Sequence, residues 1–431
     1  MDPFYQDCTL LHVDADGFFA GVEQALTPAW RGRPVVTGAE RGIIAAASYE
    51  AKARGIKRGL QLHEAVRQCP GLVVLPSDYE TYSLYSRRMF AILRRFTPQV
   101  EEYSIDEAFA DLAGCGAALG MPLEAVAEQL RLAVQCELGL TVSVGISLNK
   151  TLAKLCSKFR KPNGQTILRR EHLPLMLQRT PVDRVWGIGR AATDRLTRLG
   201  VTTAWDLAQL EATTVRKLLH KPGYETWREL NGWRVFSLEP EAPARYGSMM
   251  KGHTFAPASD DVHLVRAEAM RNLTAVLAKL RRRRHLAGLI GLAMRLKDYT
   301  VQAGCLPLAL PTAHDAEAAP VLLRLFDSHF TPGRLYRATM VWLGALVPAQ
   351  GRQMDLFEET PARQRYGRLD ETVDRLNRRY GQGTVAPAIL LDRQRKPWHT
   401  RDASPERFRR LARQEGARHL ALPRLMLDNP I

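Results

Sequence analysis

Residues 9–16 read Thr-Leu-Leu-His-Val-Asp-Ala-Asp, a short apolar run that ends in two carboxylates. A run of this length, closed by a polar residue, is typical of a buried strand. We therefore predict a strand over Thr9–Val13, with Asp14 at its end. A second acidic pair, Asp106 and Glu107, lies between two further segments that have strand character. Two acidic sites at the ends of neighbouring strands predict one shared site at the edge of a sheet.

The sequence around these sites predicts an α+β fold of several domains. Helices and strands alternate through the first 165 residues, and residues 170–235 look helical with short loops. Residues 246–345 have the order β-α-β-β-α-β of a split βαβ unit. The C-terminal part is less regular. The predicted elements are helices at Tyr79–Phe96, Leu123–Leu138, Asn149–Phe159, Arg190–Leu199, Val262–Arg284, Ala316–Phe326 and Pro405–Gln414, and strands that include Thr141–Ile146, Gly247–Phe255, Tyr336–Leu343 and Thr384–Leu391.

Composition excludes several classes of protein. The chain has 431 residues with 45% hydrophobic and 25% charged residues, which is ordinary for a globular protein. No apolar run reaches the roughly 18 residues of a membrane span, and the N-terminus lacks the pattern of a secretory signal. The six cysteines are scattered without a C-x-x-C pair, which predicts free thiols in a cytoplasmic protein.

Charge points toward a polyanionic partner. The chain carries 61 Lys and Arg against 45 Asp and Glu, for a net charge of +16 and a pI near 9.8. Such an excess favours nucleic acid as the partner. A bias in base composition toward arginine codons would give the same excess, so charge alone leaves the question open.

The carboxylates suggest metal chemistry. Asp14, Asp106 and Glu107 would supply hard oxygen ligands of the kind that Mg²⁺ prefers. Two such ions about 4 Å apart can hold both the attacking and the leaving oxygen of a phosphoryl transfer. Adjacent residues of a regular strand face opposite ways, so Asp106 and Glu107 can share one site only if the chain bends there. Each acidic pair taken alone is more often a turn than a functional site.

Five segments together carry a resemblance to a known family. They are His12–Glu23 (HVDADGFFAGVE), Ala46–Gly55 (AASYEAKARG), Tyr103–Phe109 (YSIDEAF), Ser143–Leu155 (SVGISLNKTLAKL) and Lys161–Gly164 (KPNG). In this order and spacing they closely resemble the motifs of Y-family translesion DNA polymerases. The resemblance runs from about residue 8 to about residue 390, and it implies an enzyme that adds deoxynucleotides to a primer with two Mg²⁺ ions.

The resemblance also implies a right-hand architecture with palm, small fingers, helical thumb and little finger. It assigns the palm to residues 1–30 and 78–168 and the fingers to residues 31–77. A thumb with a helix-hairpin-helix follows at 169–238, and the β-α-β-β-α-β unit at 245–345 becomes the little finger. Residues 346–431 would hold a linker, a clamp-binding motif and a basic tail. Small fingers that are rich in glycine imply an open pocket and low fidelity, and no segment is left for a proofreading exonuclease.

The sequence falls between two bacterial branches of the family. Asp16, the Phe18-Phe19 pair and Lys-Pro-Asn-Gly resemble DNA polymerase IV. The YSIDEAF segment and the Trp-Gly-Ile-Gly-Arg segment resemble the catalytic subunit of DNA polymerase V. Tyr49 is followed by Lys52, where the polymerase IV branch usually has arginine, and this weakens two-pronged gripping of a triphosphate. An accessory subunit of the polymerase V type therefore stays open as a partner.

For the active site, the resemblance implies specific roles. Asp14, Asp106, Glu107 and the backbone carbonyl of Ala15 would bind the metal ions, and the three carboxylates would be catalytic. Phe19 would be the steric gate that excludes ribonucleotides, with Phe18 behind it. Contacts with the triphosphate would come from Tyr49, Lys52, Arg54 and Lys161. Without the resemblance, packing would explain the two phenylalanines, and solvated surface charge would explain the cations.

Further motifs predict contacts with DNA and with a sliding clamp. Gly187, Gly189 and Arg190 fit the turn of a helix-hairpin-helix, whose backbone amides can bind a phosphate. The run Arg281-Arg282-Arg283-Arg284 ends a predicted helix; such a run often only complements the helix dipole, but it also suits a DNA backbone. Residues 353–357 (QMDLF) fit the pattern with which bacterial proteins dock on the sliding clamp, through Gln353, Leu356 and Phe357. A fold-back of this segment on its own domain is the alternative.

Two other functions remain as alternatives at this point. One is a non-catalytic, polymerase-like accessory protein that binds DNA and the clamp. The presence of all three carboxylates argues against it. The other is a different two-metal enzyme with a palm fold, such as a nucleotide cyclase. The helix-hairpin-helix and the clamp motif argue against a cyclase, which does not act on DNA.

Overall fold

The computed structural model describes residues 8–241, 246–350, 360–380 and 383–390. The chain divides into two compact units at residues 242 and 243. None of the helices in these ranges combines the length and the apolar composition needed to traverse a bilayer. The clamp motif (residues 353–357) and the helix predicted at Pro405–Gln414 lie outside the described residues.

The first unit contains eight strands and eleven α-helices among its described residues. In chain order these are β1 (Leu10–Ala15), α1 (Phe18–Leu26), β2 (Val35–Thr37), β3 (Ala46–Ala47), α2 (Tyr49–Ala53), α3 (Leu62–Gln68), β4 (Val73–Leu75), α4 (Tyr79–Arg94), β5 (Val100–Glu102), β6 (Glu107–Asp111), α5 (Cys115–Leu119), α6 (Leu123–Leu138), β7 (Val142–Ser147), α7 (Lys150–Phe159), β8 (Gln165–Ile167), α8 (Leu173–Gln178), α9 (Arg190–Thr197), α10 (Ala204–Ala208) and α11 (Ala212–Leu230).

A five-stranded sheet forms the centre of this unit, in the order β5-β6-β1-β7-β8. Strand β1 is central and antiparallel to both β6 and β7. It is buried along its whole length because Leu11 and Val13 share one core with apolar residues of α4 and α6. The short apolar run that opened the sequence therefore became a central strand, and it places Asp14 deep inside the unit.

Helix α7 packs unusually close to this sheet. A Cβ atom built at Gly145 of β7 would lie 2.1 Å from the carbonyl oxygen of Ala153, so the backbones of strand and helix touch there. Only glycine allows such an approach. His12 of β1 reaches the same helix, with Nδ1 2.7 Å from Ser157 Oγ. The close approach brings the lysines of α7 against the acidic edge of the sheet.

The remaining elements of the first unit form two smaller groups. Strands β3, β2 and β4 make a three-stranded sheet between residues 35 and 75, and helices α8 to α11 surround a separate apolar core. Helix α11 is kinked at His220, just before Pro222. The helical character predicted for residues 170–235 is therefore present.

The second unit has the predicted β-α-β-β-α-β order. Its elements are β9 (Met249–Ser259), α12 (Val262–Arg282), β10 (His285–Leu296), β11 (Val301–Thr312), α13 (Asp315–His329) and β12 (Tyr336–Pro348). The strands form one antiparallel sheet in the order β11-β10-β12-β9, and α12 and α13 contribute to its core. This confirms the α+β fold class.

The C-terminal part of the second unit departs from the prediction. Helix α14 (Thr360–Tyr380) was not predicted. The strand predicted at Thr384–Leu391 is wrong: the described residues there contain a turn and a short 3₁₀-helix at Ala388–Leu390. Pro387 lies directly before this 3₁₀-helix and cannot donate a backbone hydrogen bond to a strand partner.

Candidate active site

Strand pairing brings two of the predicted carboxylates together. Asp14 of β1 lies directly opposite Glu107 of β6 in an antiparallel register. Residues that pair directly across such strands project from the same face of the sheet. The two carboxyl groups are close enough for Glu107 to act on the pKa of Asp14. The acidic sites that are 93 positions apart in sequence thus meet at one edge of the sheet.

Asp106 is adjacent to this pair, and its carboxylate is bound within the bend of the chain. Its backbone oxygen accepts a hydrogen bond of 2.9 Å from the Ala15 amide, which ties the two segments together. Its Oδ1 accepts a hydrogen bond of 2.7 Å from Ser104 Oγ. Ser104 also receives the amides of Asp106 and Glu107, so residues 104–107 form a tight bend. The chain therefore bends where the sequence required it, before β6 begins.

Two lysines neutralise the paired carboxylates. Lys161 Nζ lies 2.5 Å from Asp14 Oδ1, and Lys154 Nζ lies 2.7 Å from Glu107 Oε2. The Lys154 side chain is only 5% exposed, and the Glu107 side chain is 16% exposed. Ion pairs shielded from water in this way interact far more strongly than surface pairs. The site thus combines two carboxylates and two ammonium groups that are largely shielded from water.

The surroundings shift the pKa values of the two carboxyl groups in opposite directions. Burial raises the pKa of Asp14 to about 6, although the Lys161 ammonium acts to lower it. Burial also acts to raise the pKa of Glu107, but the hydrogen bond and the charge of Lys154 outweigh it, and the pKa of Glu107 is lowered. Within one site, therefore, the surroundings favour the protonated form of Asp14 and the ionised form of Glu107.

Asp16 has a structural role in building this site. Its buried carboxylate accepts hydrogen bonds from Ser143 Oγ at 2.9 Å and from the Asn163 amide at 2.7 Å. Lys161 Nζ is also 3.5 Å from Asp16 Oδ1. Asn163 has a positive φ of 54°, and Arg131 Nη1 donates to its carbonyl and side-chain oxygens. Asp16 therefore anchors the loop that delivers Lys161 to the carboxylates.

The side chains at this edge of the sheet include oxygen donors for divalent metal ions. Within the described ranges, no group of three or more His, Cys, Asp or Glu side chains is already arranged to hold a metal. The facing carboxylates of Asp14 and Glu107 nevertheless supply oxygen donors, and ammonium groups occupy positions that suit a cation. Oxygen-only donors suit a hard ion such as Mg²⁺. The residues fit such ions if Asp106 exchanges its bond with Ser104 for the site.

Tyr49 and Lys52 lie beside the carboxylates, at the start of α2. Tyr49 OH is 3.5 Å from Asp16 Oδ1, and Lys52 Nζ lies 4.0 Å from the centre of the Tyr49 ring. Burial and the charge of Lys161 lower the pKa of Lys52. Gly17 makes this approach possible: its φ is +58°, and a Cβ there would lie 3.1 Å from the Ala47 carbonyl oxygen. These cations and the carboxylates share one pocket.

Arg54, in contrast, is directed into residues 31–77. It caps the C-terminus of α2, and its Nη1 lies 3.4 Å from Cys69 Sγ. The side chain is exposed, and within the described ranges no hydrogen bond or ion pair joins it to Asp14, Asp16 or Lys161. The structure therefore brings Tyr49, Lys52 and Lys161 together, while Arg54 stands apart.

Phe18 and Phe19 open helix α1, directly after the carboxylate strand. Phe18 is buried in the core, whereas Phe19 is only partly buried. The Phe19 ring stacks on Tyr82 with 4.4 Å between centroids and meets Tyr79 edge-on at 5.5 Å. Two tyrosines thus fix the orientation of a partly exposed aromatic ring beside Asp14. This arrangement suits a rigid wall of a substrate pocket.

The predicted helix-hairpin-helix turn is present before α9. Gly187 has a φ of +87°, and a Cβ there would lie 2.9 Å from Thr226 Oγ1. Gly189 is the N-cap of α9, and Arg190 is the first residue of the helix. The first amides of a helix lack partners within the helix and carry partial positive charge. The turn therefore has the geometry of a phosphate-binding helix end.

Trp186, next to this turn, contacts residues on either side of the bend at 104–107. Its Nε1 donates a hydrogen bond of 3.1 Å to Tyr103 OH, and its ring lies 5.8 Å from that of Phe109. Lys154 Nζ lies 4.4 Å from the centre of the Tyr103 ring. One aromatic cluster therefore supports the lysine that pairs with Glu107.

The four consecutive arginines of the second unit divide into two groups. Arg281 forms ion pairs with Asp315 at 2.7 Å and with Asp374 at 2.8 Å, and is therefore engaged inside the unit. These ion pairs engage the guanidinium group that the sequence predicts as a DNA contact. Arg282 and Arg283 instead line a cavity of about 530 Å³, and Arg284 is exposed. Lys251 and Lys279 also line this cavity.

Sequence reasoning missed Lys154, Asp16 and Ser104 as parts of the site. Lys150, Lys154 and Lys158 recur every four residues in α7, so they share one face of that helix. Lys150 and Lys154 are buried on that face, against the acidic sheet edge. A lysine repeat on the inner side of an amphipathic helix was the signal that could have revealed Lys154. No comparable pattern in the sequence marked Ser104.

The chain is similar to known proteins over most of its length. A model of the impB/mucB/samB family matches residues 13–158, and the model of its C-terminal domain matches residues 247–356. DNA polymerase IV of Moorella thermoacetica is 35% identical over 396 residues, which cover 89% of this chain and 96% of that protein. DNA polymerase IV 1 of Bacillus subtilis is 31% identical over 397 residues, which cover 89% and 94%.

Solved structures show the same fold. A chimeric Y-family DNA polymerase matches with a TM-score of 0.66 and 24% identity, over 79% of this chain and 99% of its own. DinB from Sulfolobus solfataricus matches with a TM-score of 0.51 and 23% identity, over 78% and 98%.

Fold and relatives together define a DNA-directed DNA polymerase of the right-hand class. The chain belongs to the impB/mucB/samB family, the Y-family translesion DNA polymerases. Enzymes of this family are nucleotidyltransferases that generally use divalent metal ions. The comparisons therefore favour the enzyme over the non-catalytic accessory protein and over the nucleotide cyclase.

Proposed function

We propose that this polymerase transfers deoxynucleotides to a primer 3′-hydroxyl with two Mg²⁺ ions bound at the edge of the five-stranded sheet. The observation that carries the proposal is the direct pairing of Asp14 with Glu107 on neighbouring strands. The name DNA polymerase IV of the relatives supplies the substrates: a primer–template DNA and deoxynucleoside triphosphates. One solved relative is described as an insertion ternary complex, in keeping with these substrates.

In this mechanism, Asp14, Asp106, Glu107 and the carbonyl of Ala15 hold the ions. Bound there, the ions would lower the pKa of the attacking hydroxyl and offset charge on the α-phosphate. Asp14 and Glu107 already project from one face of the sheet. The Asp106 carboxylate must leave Ser104 Oγ to join them. The buried setting strengthens each of these electrostatic contacts.

The cations and the aromatic residues beside the carboxylates bind the incoming nucleotide. Lys161 and Lys52 offset charge on the triphosphate, and the Tyr49 hydroxyl group donates a hydrogen bond to it. Arg54 could reach the triphosphate only after leaving Cys69. Phe19 excludes a 2′-hydroxyl by contact with the sugar, and Phe18 supports it from the core.

The domain assignment follows the family. Residues 1–30 and 78–168 form the palm, 31–77 the fingers, 169–238 the thumb and 245–345 the little finger, with the linker, clamp motif and basic tail at 346–431. The glycines of the fingers leave an open pocket for damaged templates, which lowers fidelity, because discrimination requires close contact. The five-stranded sheet and its carboxylates fall within the proposed palm.

DNA contacts come from both units. The turn at Gly187 and Gly189, together with Arg190, binds backbone phosphates without reading sequence. In the second unit, Arg282 and Arg283 present their charge at the cavity they share with Lys251 and Lys279. A phosphate backbone suits such a concentration of positive charge.

Partners beyond DNA are proposed from the sequence alone. Gln353, Leu356 and Phe357 dock on the bacterial sliding clamp in the cytoplasm, and an accessory subunit of the polymerase V type remains a candidate partner. Deleting residues 353–357 should remove stimulation by the clamp and leave synthesis without the clamp unchanged. Stimulation that survives the deletion would reject the docking role.

The catalytic proposal is tested with Asp106→Ala and Glu107→Ala. Each variant should lose primer extension by several orders of magnitude and still bind primer–template DNA, because neither residue is needed for the thumb or the second unit to fold. Glu102→Ala is the matched control: Glu102 is an exposed acid of β5 that pairs on the surface with Arg94. Extension at the control level in either catalytic variant would remove that residue from the mechanism.

A further inference from the structure

Helix α14 lies outside both segments that match the family models, yet it is docked firmly on the second unit. Arg281 at the end of α12 forms a two-pronged ion pair with Asp374 of α14, at 2.8 Å and 2.9 Å. Arg363 of α14 forms a similar pair with Glu317 of α13, at 2.7 Å and 2.9 Å. Two-pronged pairs fix orientation as well as position. The helix therefore has a defined inner face.

That inner face contains most of the acidic residues of the helix. Asp370 is buried and lies 2.8 Å from His314 Nδ1, and Asp374 is held by Arg281. Arg281 is also close to Asp315, so one arginine serves acids from two helices. Most of the acidic groups of α14 therefore take part in the contacts that dock this helix.

The outer face is left strongly positive. Arg365, Arg368 and Arg375 are exposed and have no ion-pair partner among the described residues. At 100° per residue they fall within an arc of about 80°, and they span about 15 Å along the axis. Arg379 is exposed on the same side, with its guanidinium over the Tyr380 ring. Glu371 is the single acid near this face.

We propose that this arginine stripe (Arg365, Arg368 and Arg375) binds the phosphate backbone of duplex DNA, as a contact additional to the thumb and the little finger. The inference rests on the proposed function, which makes DNA the substrate. Exposed arginine side chains stay charged, and either water or an anionic partner stabilises that charge. Each strand of a duplex presents one phosphate per about 3.4 Å of the helix axis, so a 15 Å row can meet several of them.

Docking makes the stripe a preformed surface. Because α14 is held by two-pronged ion pairs, its arginines share one orientation before DNA arrives, which reduces the entropy lost on binding. Phosphate contacts of this kind position a protein on DNA without reading sequence. The stripe should therefore raise affinity for any duplex equally.

The test measures binding of the full-length protein to a fluorescent primer–template as a function of salt concentration, without nucleotides. In the triple variant R365Q/R368Q/R375Q, the slope of log affinity against log salt should flatten by about 2 to 3, at about 0.9 per lost phosphate contact. At 0.1 M salt the affinity should fall about tenfold or more. A single-stranded oligonucleotide should lose less.

Two control variants separate charge from folding. R365K/R368K/R375K keeps the charge and should keep most of the slope, whereas Glu371→Gln removes a repulsive charge and should strengthen binding. Thermal unfolding of each variant shows whether the second unit is intact. An intact triple glutamine variant with the wild-type slope would overturn the stripe while leaving the proposed function standing. Wild-type protein that fails to bind the duplex would overturn both.

Discussion

Asp14 offers the sharpest test of the proposed site. The ionised carboxylate is the form that would bind a metal ion, and the same form destabilises the metal-free fold. Burial raises the pKa of Asp14 from 3.8 to about 6, so the folded chain holds a proton between these values that the unfolded chain releases. The free energy of unfolding therefore falls as the pH rises through this window. Above pH 6 the metal-free fold carries the full penalty of a buried carboxylate.

The penalty follows from the shift in pKa. One pKa unit corresponds to 1.36 kcal/mol, so the change from 3.8 to about 6 sets an upper bound of about 3 kcal/mol. Asp14→Asn removes the charge and keeps the shape. The variant should be more stable than the wild type by as much as about 3 kcal/mol at pH 8 and equal to it below pH 4. It should nevertheless be inactive in primer extension.

The assay is urea unfolding in the presence of a chelator, at pH values from 4 to 8. Glu102→Gln serves as the control, since that acid is exposed. Addition of Mg²⁺ at pH 8 should stabilise the wild type and not Asp14→Asn, because an ion bound to the ionised carboxylate offsets the cost of burying it. If the free energies of unfolding of the wild type and of Asp14→Asn depend on pH in the same way, ionised Asp14 does not destabilise the fold as proposed.

Three further predictions concern the surroundings of the carboxylates. Phe19→Ala should admit ribonucleotides; unchanged sugar selectivity in single-nucleotide insertion would reject the gate. Lys154→Met should raise the pKa of Glu107 and shift the acidic limb of the pH–rate profile upward, and it should cost about 3 kcal/mol of stability as a broken buried pair; an unmoved limb would argue against this pairing. Gly187→Ala should weaken DNA binding, because its Cβ would lie 2.9 Å from Thr226; unchanged affinity would exclude the turn.

The carboxylate edge could be predicted because it depends on local rules. An apolar run that ends in Asp14 reads as a strand in any context, and the bend at Asp106 follows from the need to aim two adjacent acids at one site. The structure adds the partners of these acids. Lys154 approaches from a helix whose position depends on the packing of α7 against Gly145. This contact arises from tertiary structure, and the lysine repeat of α7 is its main trace in the sequence.

Helix α14 was not predicted, although apolar residues recur along it at the spacing of a helix. They follow one another at steps of three and four residues: Tyr366, Leu369, Val373 and Leu376. The residues that dock the helix are instead polar: Asp374 pairs with Arg281 of α12, and Asp370 lies against His314, the residue before α13. The sequence gives no sign of these contacts, because two acidic partners of Arg281 lie 34 and 93 positions away from it.

Lys161 shows how one side chain can serve both the metal-free fold and the loaded enzyme. Its ammonium lies 2.5 Å from Asp14 and 3.5 Å from Asp16. Asp16 is held by Ser143 and by the Asn163 amide, so it stays in place when Asp14 changes partner. If a divalent ion takes over Asp14, Lys161 remains tethered near the site by Asp16 and gains freedom to contact a triphosphate. Asp16, which is not among the proposed metal ligands, therefore determines the position of the Lys161 ammonium group.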